Sequence, residues 1–185
     1  MKLVKWIIVV VVVLLAAFLG ITALLPKDYL VERETVIAAP MEQIFSQVVD
    51  LEAWQEWNPW SKLDPAMVIE FGPERSGPGA WYRWESEVVG DGSIRITRTL
   101  PPRQVFYEMQ FEGYEDMPAS SSFTLMPGED GGTRVVWVFS GSAGEQFFAR
   151  WMSVVADKLI GASYEKGLEA LRERCEALHT PGASR

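Results

Sequence analysis

Residues 37–60 read IAAPMEQIFSQVVDLEAWQEWNPW, and they decide how the rest of the chain is interpreted. Pro40 suits the first position of a helix, and the apolar residues after it recur at helical spacing. Asp50 is a good N-cap for a second helix, which Asn58-Pro59 ends. A β-branched, alternating stretch precedes them and has the pattern of a strand. The predicted elements are a strand, Tyr29–Ile37, and two short helices, Met41–Val49 and Leu51–Trp57.

Three tryptophans fall within the last seven residues of this stretch. Indole is large, rigid and apolar, so such a cluster either packs a core or forms an aromatic wall for a ligand. Trp54 and Trp57 are three residues apart and share one helix face, which we expect to cover the open side of a sheet. Trp60 lies just past Pro59, where the chain turns away, and we expect it at the rim of a ligand cavity.

From Met67 onward, alternating stretches separated by turn signals predict a meander of antiparallel strands. Gly90-Asp91-Gly92 is a hairpin signal. In the strand before it, one face would carry Tyr82, Trp84, Ser86 and Val88. The six predicted strands are Met67–Phe71, Ala80–Val89, Ser93–Leu100, Val105–Phe111, Ser120–Met126 and Thr133–Ser140. A loop, PGEDGG at 127–132, separates the last two.

The final segment, 146–178, predicts one long helix. Its apolar residues at three- and four-residue steps are Phe148, Met152, Val155, Leu159, Tyr164, Leu168, Leu171, Cys175 and Leu178. Gly161 and Gly167 each cost the helix about 0.5–1 kcal/mol relative to alanine, so they imply either close packing on the sheet or room for a ligand. The predicted fold is α+β: a curved antiparallel sheet of about seven strands wrapped around the long helix, an arrangement that often keeps an apolar cavity.

Trp6–Leu25 contains no charged residue and is long enough, at 1.5 Å per residue, to cross a bilayer. A cleaved signal peptide is the alternative, but its apolar region would be shorter, and Ile21-Thr22-Ala23 fits a cleavage site poorly. We therefore expect an uncleaved anchor at 1–27, a folded domain at 28–178 and a disordered tail at 179–185. Lys2 and Lys5 precede the span, which favours a cytoplasmic N-terminus and a domain on the extracytoplasmic, periplasmic side.

Charge and composition exclude several classes of protein. The formal net charge is −8, and the residues after 27 hold 14 basic and 25 acidic side chains, so nucleic acid is not an expected partner. Cys175 is the single cysteine, and we expect it to be a buried, inert thiol. His179, the only histidine, lies in the tail and is expected to be solvated. No metal-ligand spacing or nucleotide-binding motif is present, and no cofactor is expected.

Four local signatures give the chain a family resemblance: residues 37–60, GPGAWYRWES (77–86), GGTRVVWVFSG (131–141) and LIGASYEKGLEALRE (159–173). They resemble the helix-grip fold of the START-like, or birch-pollen-allergen-like, superfamily, and in particular its bacterial polyketide cyclase/dehydrase (SRPBCC) branch. The resemblance covers nearly everything after the apolar segment. It implies a fold more firmly than a reaction, because the superfamily includes lipid carriers, receptors and cyclases. The N-terminal membrane segment is a departure from the soluble cyclases.

The candidate binding residues are aromatic or apolar side chains expected to line the cavity, namely Trp60, Tyr82, Trp84, Tyr107, Met109, Trp137 and Tyr164. No catalytic residue is assigned, since Asp50 serves as a cap and Glu85 and Glu108 fall on the outward face of the sheet. The leading hypothesis is a membrane-anchored domain that binds a lipid or an aromatic metabolite. The alternatives are a cyclase or dehydratase, and an interaction module with a filled core whose contact is the sheet edge or the 127–132 loop.

Overall fold

The computed structural model describes residues 2–128 and 131–179. The helices are α1 (Lys2–Leu24), α2 (Met41–Val49), α3 (Trp54–Trp57), α4 (Pro59–Leu63) and α5 (Met152–His179), and a 3-10 helix, Phe148–Trp151, precedes α5. The strands are β1 (Asp28–Ile37), β2 (Val68–Phe71), β3 (Trp81–Glu85), β4 (Gly92–Leu100), β5 (Gln104–Phe111), β6 (Ala119–Pro127) and β7 (Thr133–Ser142). Of the predicted tail, His179 ends α5, and residues 180–185 lie outside the described part, as do 129–130 of the predicted contact loop.

All seven strands form one antiparallel sheet in the order β1-β7-β6-β5-β4-β3-β2. The register between β4 and β5 shifts at Ile96/Arg98, and such a bulge bends a strand and increases its twist. Helix α5 packs chiefly on β1. The α+β class, the seven-stranded sheet and the long C-terminal helix predicted from the sequence are confirmed.

Three short helices, rather than two, follow β1. Pro40 is the N-cap of α2 and not its first helical residue. Asn58-Pro59 does end α3, but it also begins α4: the Asn58 side chain accepts from the Trp60 N–H, and Pro59 stands at the first helical position. The same dipeptide that signals a stop therefore supplies a cap and a preset φ for the next helix.

Two predicted segments are shorter or rotated in the structure. Strand β3 ends at Glu85, and Val88, expected on its inner face, is 65% exposed. The predicted inward stripe of the final helical segment is correct at Met152 and from Tyr164 through Cys175. It is wrong at Phe148, Val155 and Leu159, which are exposed. At about 100° per residue, Leu159 lies roughly 140° around the helix from Tyr164, so the two cannot face the sheet together.

Trp54 and Trp57 belong to the core, at 2% and 1% exposure, as the sequence predicted. They meet Phe123 and Trp137 of the sheet edge-to-face, with ring centroids 5.7–6.1 Å apart. The two indole N–H groups donate to the carbonyls of Val48 and Gln47. This aromatic cluster fills the space between α3 and the β5-β6-β7 side of the sheet.

Helix α1 is long and apolar enough to cross a membrane, by length and composition. Its last turns contact the 3-10 helix: Phe18 stacks on Trp151 with centroids 5.6 Å apart, and the Trp151 indole N–H donates to Thr22 Oγ1 at 3.0 Å. Lys27, just beyond α1, is tied to the loop after β7, since its carbonyl accepts from the Ala143 N–H and its side chain pairs with Glu145.

Candidate functional site

A cavity of about 640 Å³ lies between the sheet, α4, the 3-10 helix and the first half of α5. Its floor follows one row of cross-strand neighbours, from Tyr29 of β1 through Gly141, Ala119, Met109 and Ile94 to Tyr82 of β3. Because β1 begins at residue 28, this row lies at the end of the sheet where the chain arrives from α1. The volume falls within the range of pockets that enclose a small ligand.

Five of the seven predicted site residues lie on the wall of this cavity: Trp60, Tyr82, Trp84, Met109 and Tyr164. Trp60 is half-buried and meets Tyr164 edge-to-face at 6.0 Å, so it stands at the boundary between core and cavity. Tyr107 and Trp137 do not line the cavity. Both are 1% exposed and belong to the aromatic cluster beneath α3, which covers their part of the sheet. That the five contact a ligand stays a prediction.

The sequence prediction missed other lining residues, among them Tyr29, Leu63, Phe111, Tyr114, Met117, Phe139, Met152 and Ile160. Strand parity carried a signal for Phe111 and Phe139, which lie two residues beyond Met109 and Trp137. Helical periodicity carried one for Ile160, which stands one turn before Tyr164, and the predicted inward stripe already contained Met152. Tyr114 and Met117 lie in the loop after β5, where no periodic pattern exists to reveal them.

The buried polar atoms of the cavity wall are already bonded within the protein. Trp84 Nε1 donates to the Gly90 carbonyl at 2.8 Å. Ser121 Oγ donates to the Val138 carbonyl and accepts from Trp137 Nε1, so its 3.1 Å contact with the Tyr164 hydroxyl has Tyr164 as the donor. Among the described residues, no buried side-chain nitrogen or oxygen lacks a partner. The buried part of the wall therefore offers a ligand shape and apolar surface rather than free hydrogen-bonding groups.

Burial also keeps the cavity tyrosines neutral. It raises the pKa of Tyr82 and the pKa of Tyr164 well above their ordinary value, because a phenolate in this apolar setting would lose its hydration. Hydrogen bonds to Gln55 and Ser121 lower the two pKa values only in part. Neither hydroxyl is prepared to act as a base near neutral pH.

The carboxylates considered from the sequence lie away from the cavity. Asp50 Oδ1 accepts from the Glu52 and Ala53 N–H groups at 2.8 and 3.1 Å, and Glu85 and Glu108 are exposed on the outer face of the sheet. Asp91 and Glu112 stand on the cavity wall where β4 begins and β5 ends. Within residues 2–128 and 131–179, no cluster of three or more His, Cys, Asp or Glu side chains is arranged to hold a metal ion.

The two helix glycines allow close packing and do not widen the cavity. A Cβ on Gly167 would lie 2.7 Å from the Trp137 ring, and one on Gly161 would collide with the Arg33 guanidinium. Arg33 reaches across α5 at this point to pair with Asp157 at 2.8 Å and Glu165 at 2.6 Å. Of the two interpretations of these glycines, the structure supports tight contact.

Comparisons with known proteins agree with this architecture. The polyketide cyclase/dehydrase and lipid transport family model matches residues 30–176. A protein from Chromobacterium violaceum aligns with a TM-score of 0.59 at 16% identity, over 80% of this chain and 98% of its own. XoxI from Bacillus cereus aligns at 0.60 and 14% identity, over 81% and 97%.

Ara h 8.0201 aligns with a TM-score of 0.51 at 20% identity, over 78% of this chain and 98% of its own. At these identities the structural neighbours show the fold alone. A comparison with curated proteins gave no match. The resemblance read from the four sequence signatures is confirmed by the family model, which spans most of the chain. The chain belongs to the polyketide cyclase/dehydrase and lipid transport family.

Proposed function

We propose that this protein binds a small hydrophobic molecule in the cavity between its sheet and α5. The observation that carries the proposal is a cavity of about 640 Å³ whose wall is aromatic and aliphatic and whose buried polar atoms are bonded within the protein. Such a wall gains free energy by removing apolar ligand surface from water, at about 25 cal/mol per Å². It has few free donors for a sugar or a phosphate. The ligand class is therefore a lipid or an aromatic metabolite.

The proposal includes a membrane anchor. Helix α1 is suited to span a bilayer, and the bias of Lys2 and Lys5 favours an N-terminus in the cytoplasm, with the domain on the periplasmic side. Alkaline phosphatase fused after residue 185 is active only outside the cytoplasm and tests this orientation. High activity, with the fusion retained in membranes after alkaline washing, is expected. Activity released into the soluble fraction would indicate a cleaved signal sequence instead.

The binding proposal is tested with the full chain in nanodiscs made from one synthetic lipid. Solvent extraction and mass spectrometry should recover a host compound in stoichiometric amount, distinct from the nanodisc lipid. Ala119 lies on the cavity floor, so Ala119→Trp should fill the space and abolish recovery, whereas the matched Ala119→Ser should retain it. Equal recovery from the wild type and Ala119→Trp would contradict binding in this cavity.

The family description also names cyclase and dehydrase activities, and an enzyme remains the second candidate. The specific feature that favours it is the Tyr164 hydroxyl, which lies at the cavity wall and can donate to a substrate carbonyl if it leaves Ser121. Under this alternative, Tyr164→Phe abolishes turnover and leaves binding intact. Under the binding proposal, the same change leaves ligand affinity within about twofold and removes no activity.

An interaction module with a filled core was the third hypothesis. It requires side chains to occupy the space beneath α5, whereas the structure leaves a cavity there. The open cavity favours binding over this alternative.

A further inference from the structure

Apolar side chains are exposed on the outward face of the 3-10 helix and the first turns of α5, and ligand binding in the cavity does not explain them. Phe148, Val154, Val155 and Leu159 are 62%, 54%, 39% and 60% exposed, whereas Ala156 of the same helical segment is buried. Val155 and Leu159 are one turn apart and form a continuous apolar strip. Exposed apolar patches of this kind mark a contact with a membrane or a partner.

The contacts with α1 place this segment at the depth of a bilayer surface. Phe18 stacks on Trp151 at 5.6 Å and lies 6.3 Å from Phe148. Phe18 is seven residues before Leu25, the end of the apolar span, which is on the order of 10 Å along a helix. When that span crosses the hydrocarbon core, Phe148 and Trp151 are brought within about 10 Å of its outer edge. Interfacial helices bury their apolar faces to about 5–10 Å.

The polar atoms of this contact suit an interfacial position. Arg150 Nη1 donates to the Ala23 carbonyl at 2.8 Å, which satisfies one of the last carbonyls of α1 where no following turn exists. Trp151 donates to Thr22 Oγ1, so its ring packs on apolar surface while its N–H is satisfied. Aromatic side chains with one polar atom are characteristic of the membrane interface.

The cavity extends to the same end of the molecule. Ala149 and Met152 line the cavity, while Phe148 and Val155 of the same segment point outward, so this wall is one helix thick. The loop that carries Tyr114 and Met117 also joins this end, because the Ser142 N–H donates to the Pro118 carbonyl, next to the segment bonded to Lys27.

We infer that the outward face of residues 148–159 lies in the bilayer surface, so that the cavity exchanges its ligand directly with the membrane. This inference rests on the proposed function and names the source of the ligand as a membrane lipid. The ligand then passes beside the 3-10 helix without crossing water. Glu115 and Asp116 stand in the nearby loop, and the exposed Asp157 and Lys158 within the segment offset each other, so the face carries no net positive charge to attract anionic lipid. Apolar contact therefore holds this face, and a zwitterionic membrane suffices.

The position of the face is tested on the full chain in phosphatidylcholine vesicles that carry nitroxide groups on their acyl chains. Single variants Phe148→Cys and Leu159→Cys receive an environment-sensitive fluorophore, and Cys175 is buried and does not compete. Leu100→Cys is the matched control, an exposed leucine at the opposite end of β4 from the cavity row. Strong quenching at 148 and 159, but not at 100, is expected. Equal quenching at all three positions overturns the inference.

Ligand transfer is tested in phosphatidylcholine vesicles that contain a diazirine fatty acid. Photo-adducts on the cavity residues Met67 and Met109 should form several-fold more slowly in Phe148→Ser/Leu159→Ser than in the wild type or Leu100→Ser. Equal rates, with cavity adducts in every variant, overturn membrane exchange and leave the binding proposal standing. A complete lack of cavity adducts, even with the fatty acid supplied in solution, overturns the binding proposal itself.

Discussion

At the scale of single residues, the thiol of Cys175 is a direct test of burial. Burial raises its pKa from an ordinary value of 9.0 to about 11, and the side chain is fully enclosed. At pH 8 the folded thiol is then roughly 100-fold less ionised than an unfolded one. We expect Ellman's reagent to react with native protein at least 100-fold more slowly than with protein in denaturant. Comparable rates would mean that the C-terminal half of α5 opens readily.

The raised pKa of Cys175 also makes the free energy of unfolding depend on pH. Between pH 9 and 11 the unfolded chain releases the Cys175 proton and the folded chain keeps it, so the free energy of unfolding falls as pH rises through this range. Below pH 9 both states hold the proton, and Cys175 contributes no pH dependence.

Trp57 and Trp60 separate core packing from ligand contact within one short stretch. Trp57 is 1% exposed inside the aromatic cluster, and Trp57→Ala should lower the free energy of unfolding by about 3–5 kcal/mol. Trp60 is half-buried on the cavity wall, and Trp60→Ala should cost clearly less stability while weakening ligand affinity by about tenfold. Chemical denaturation and ligand titration measure the two effects. Unchanged affinity in Trp60→Ala would remove this residue from the site.

At the scale of the elements, the two glycines of α5 are predicted to respond differently to replacement by alanine. Each replacement gains up to about 1 kcal/mol of helix propensity. At Gly167 the new methyl meets the Trp137 ring, held between Phe123 and Tyr164, so overpacking of about 1–3 kcal/mol wins and Gly167→Ala destabilises. At Gly161 it meets the mobile end of Arg33, whose exposed ion pairs are worth about 0–1 kcal/mol, so Gly161→Ala is near neutral. Thermal unfolding of both variants measures the two effects. A Gly167→Ala variant more stable than the wild type would contradict the close contact between Gly167 and the Trp137 ring.

The elements also show which parts of the secondary structure the local sequence pattern predicts and which it does not. Alternation identified every strand because the side chains of a strand reveal its buried face two residues at a time. Helix α4 was missed because Pro59 reads equally well as the end of one helix and the start of the next. The stripe of α5 was misjudged at Val155 and Leu159, because these apolar residues face outward and periodicity alone does not distinguish an exposed apolar residue from a buried one.

The candidate site was harder to predict than the fold for a related reason. Tyr107 and Met109 share one face of β5, so the alternation of side chains along the strand predicts the same inward position for both. Only the placement of α3, which brings Trp54 within 5.1 Å of the Tyr107 ring, assigns Tyr107 to the core and leaves Met109 on the cavity wall. Which inward residues meet empty space depends on contacts distant in sequence, and no local pattern contains that information.

At the scale of the whole molecule, the cavity divides the domain into a filled half and an open half. The filled half contains the parts of β1, β7 and β6 that lie beyond the cavity row, together with the later turns of α5, where Leu168, Leu171 and Cys175 are buried. In the open half, β2 is an edge strand of four residues, none of them fully buried, and α4 covers the cavity. Regions with few buried apolar contacts open locally at lower free energy.

Hydrogen exchange on the full chain in nanodiscs should reveal this division. Without ligand, backbone amides of β2, β3 and α4 should exchange faster than those of β7 and the second half of α5. A ligand at 100 times its dissociation constant stabilises the state that binds it by about 2.7 kcal/mol. Because the ligand completes the packing of the open half, the added protection should concentrate in β2, β3 and α4, and Ala119→Trp should reproduce much of it without ligand. Protection spread evenly over both halves would place the bound molecule elsewhere than in this cavity.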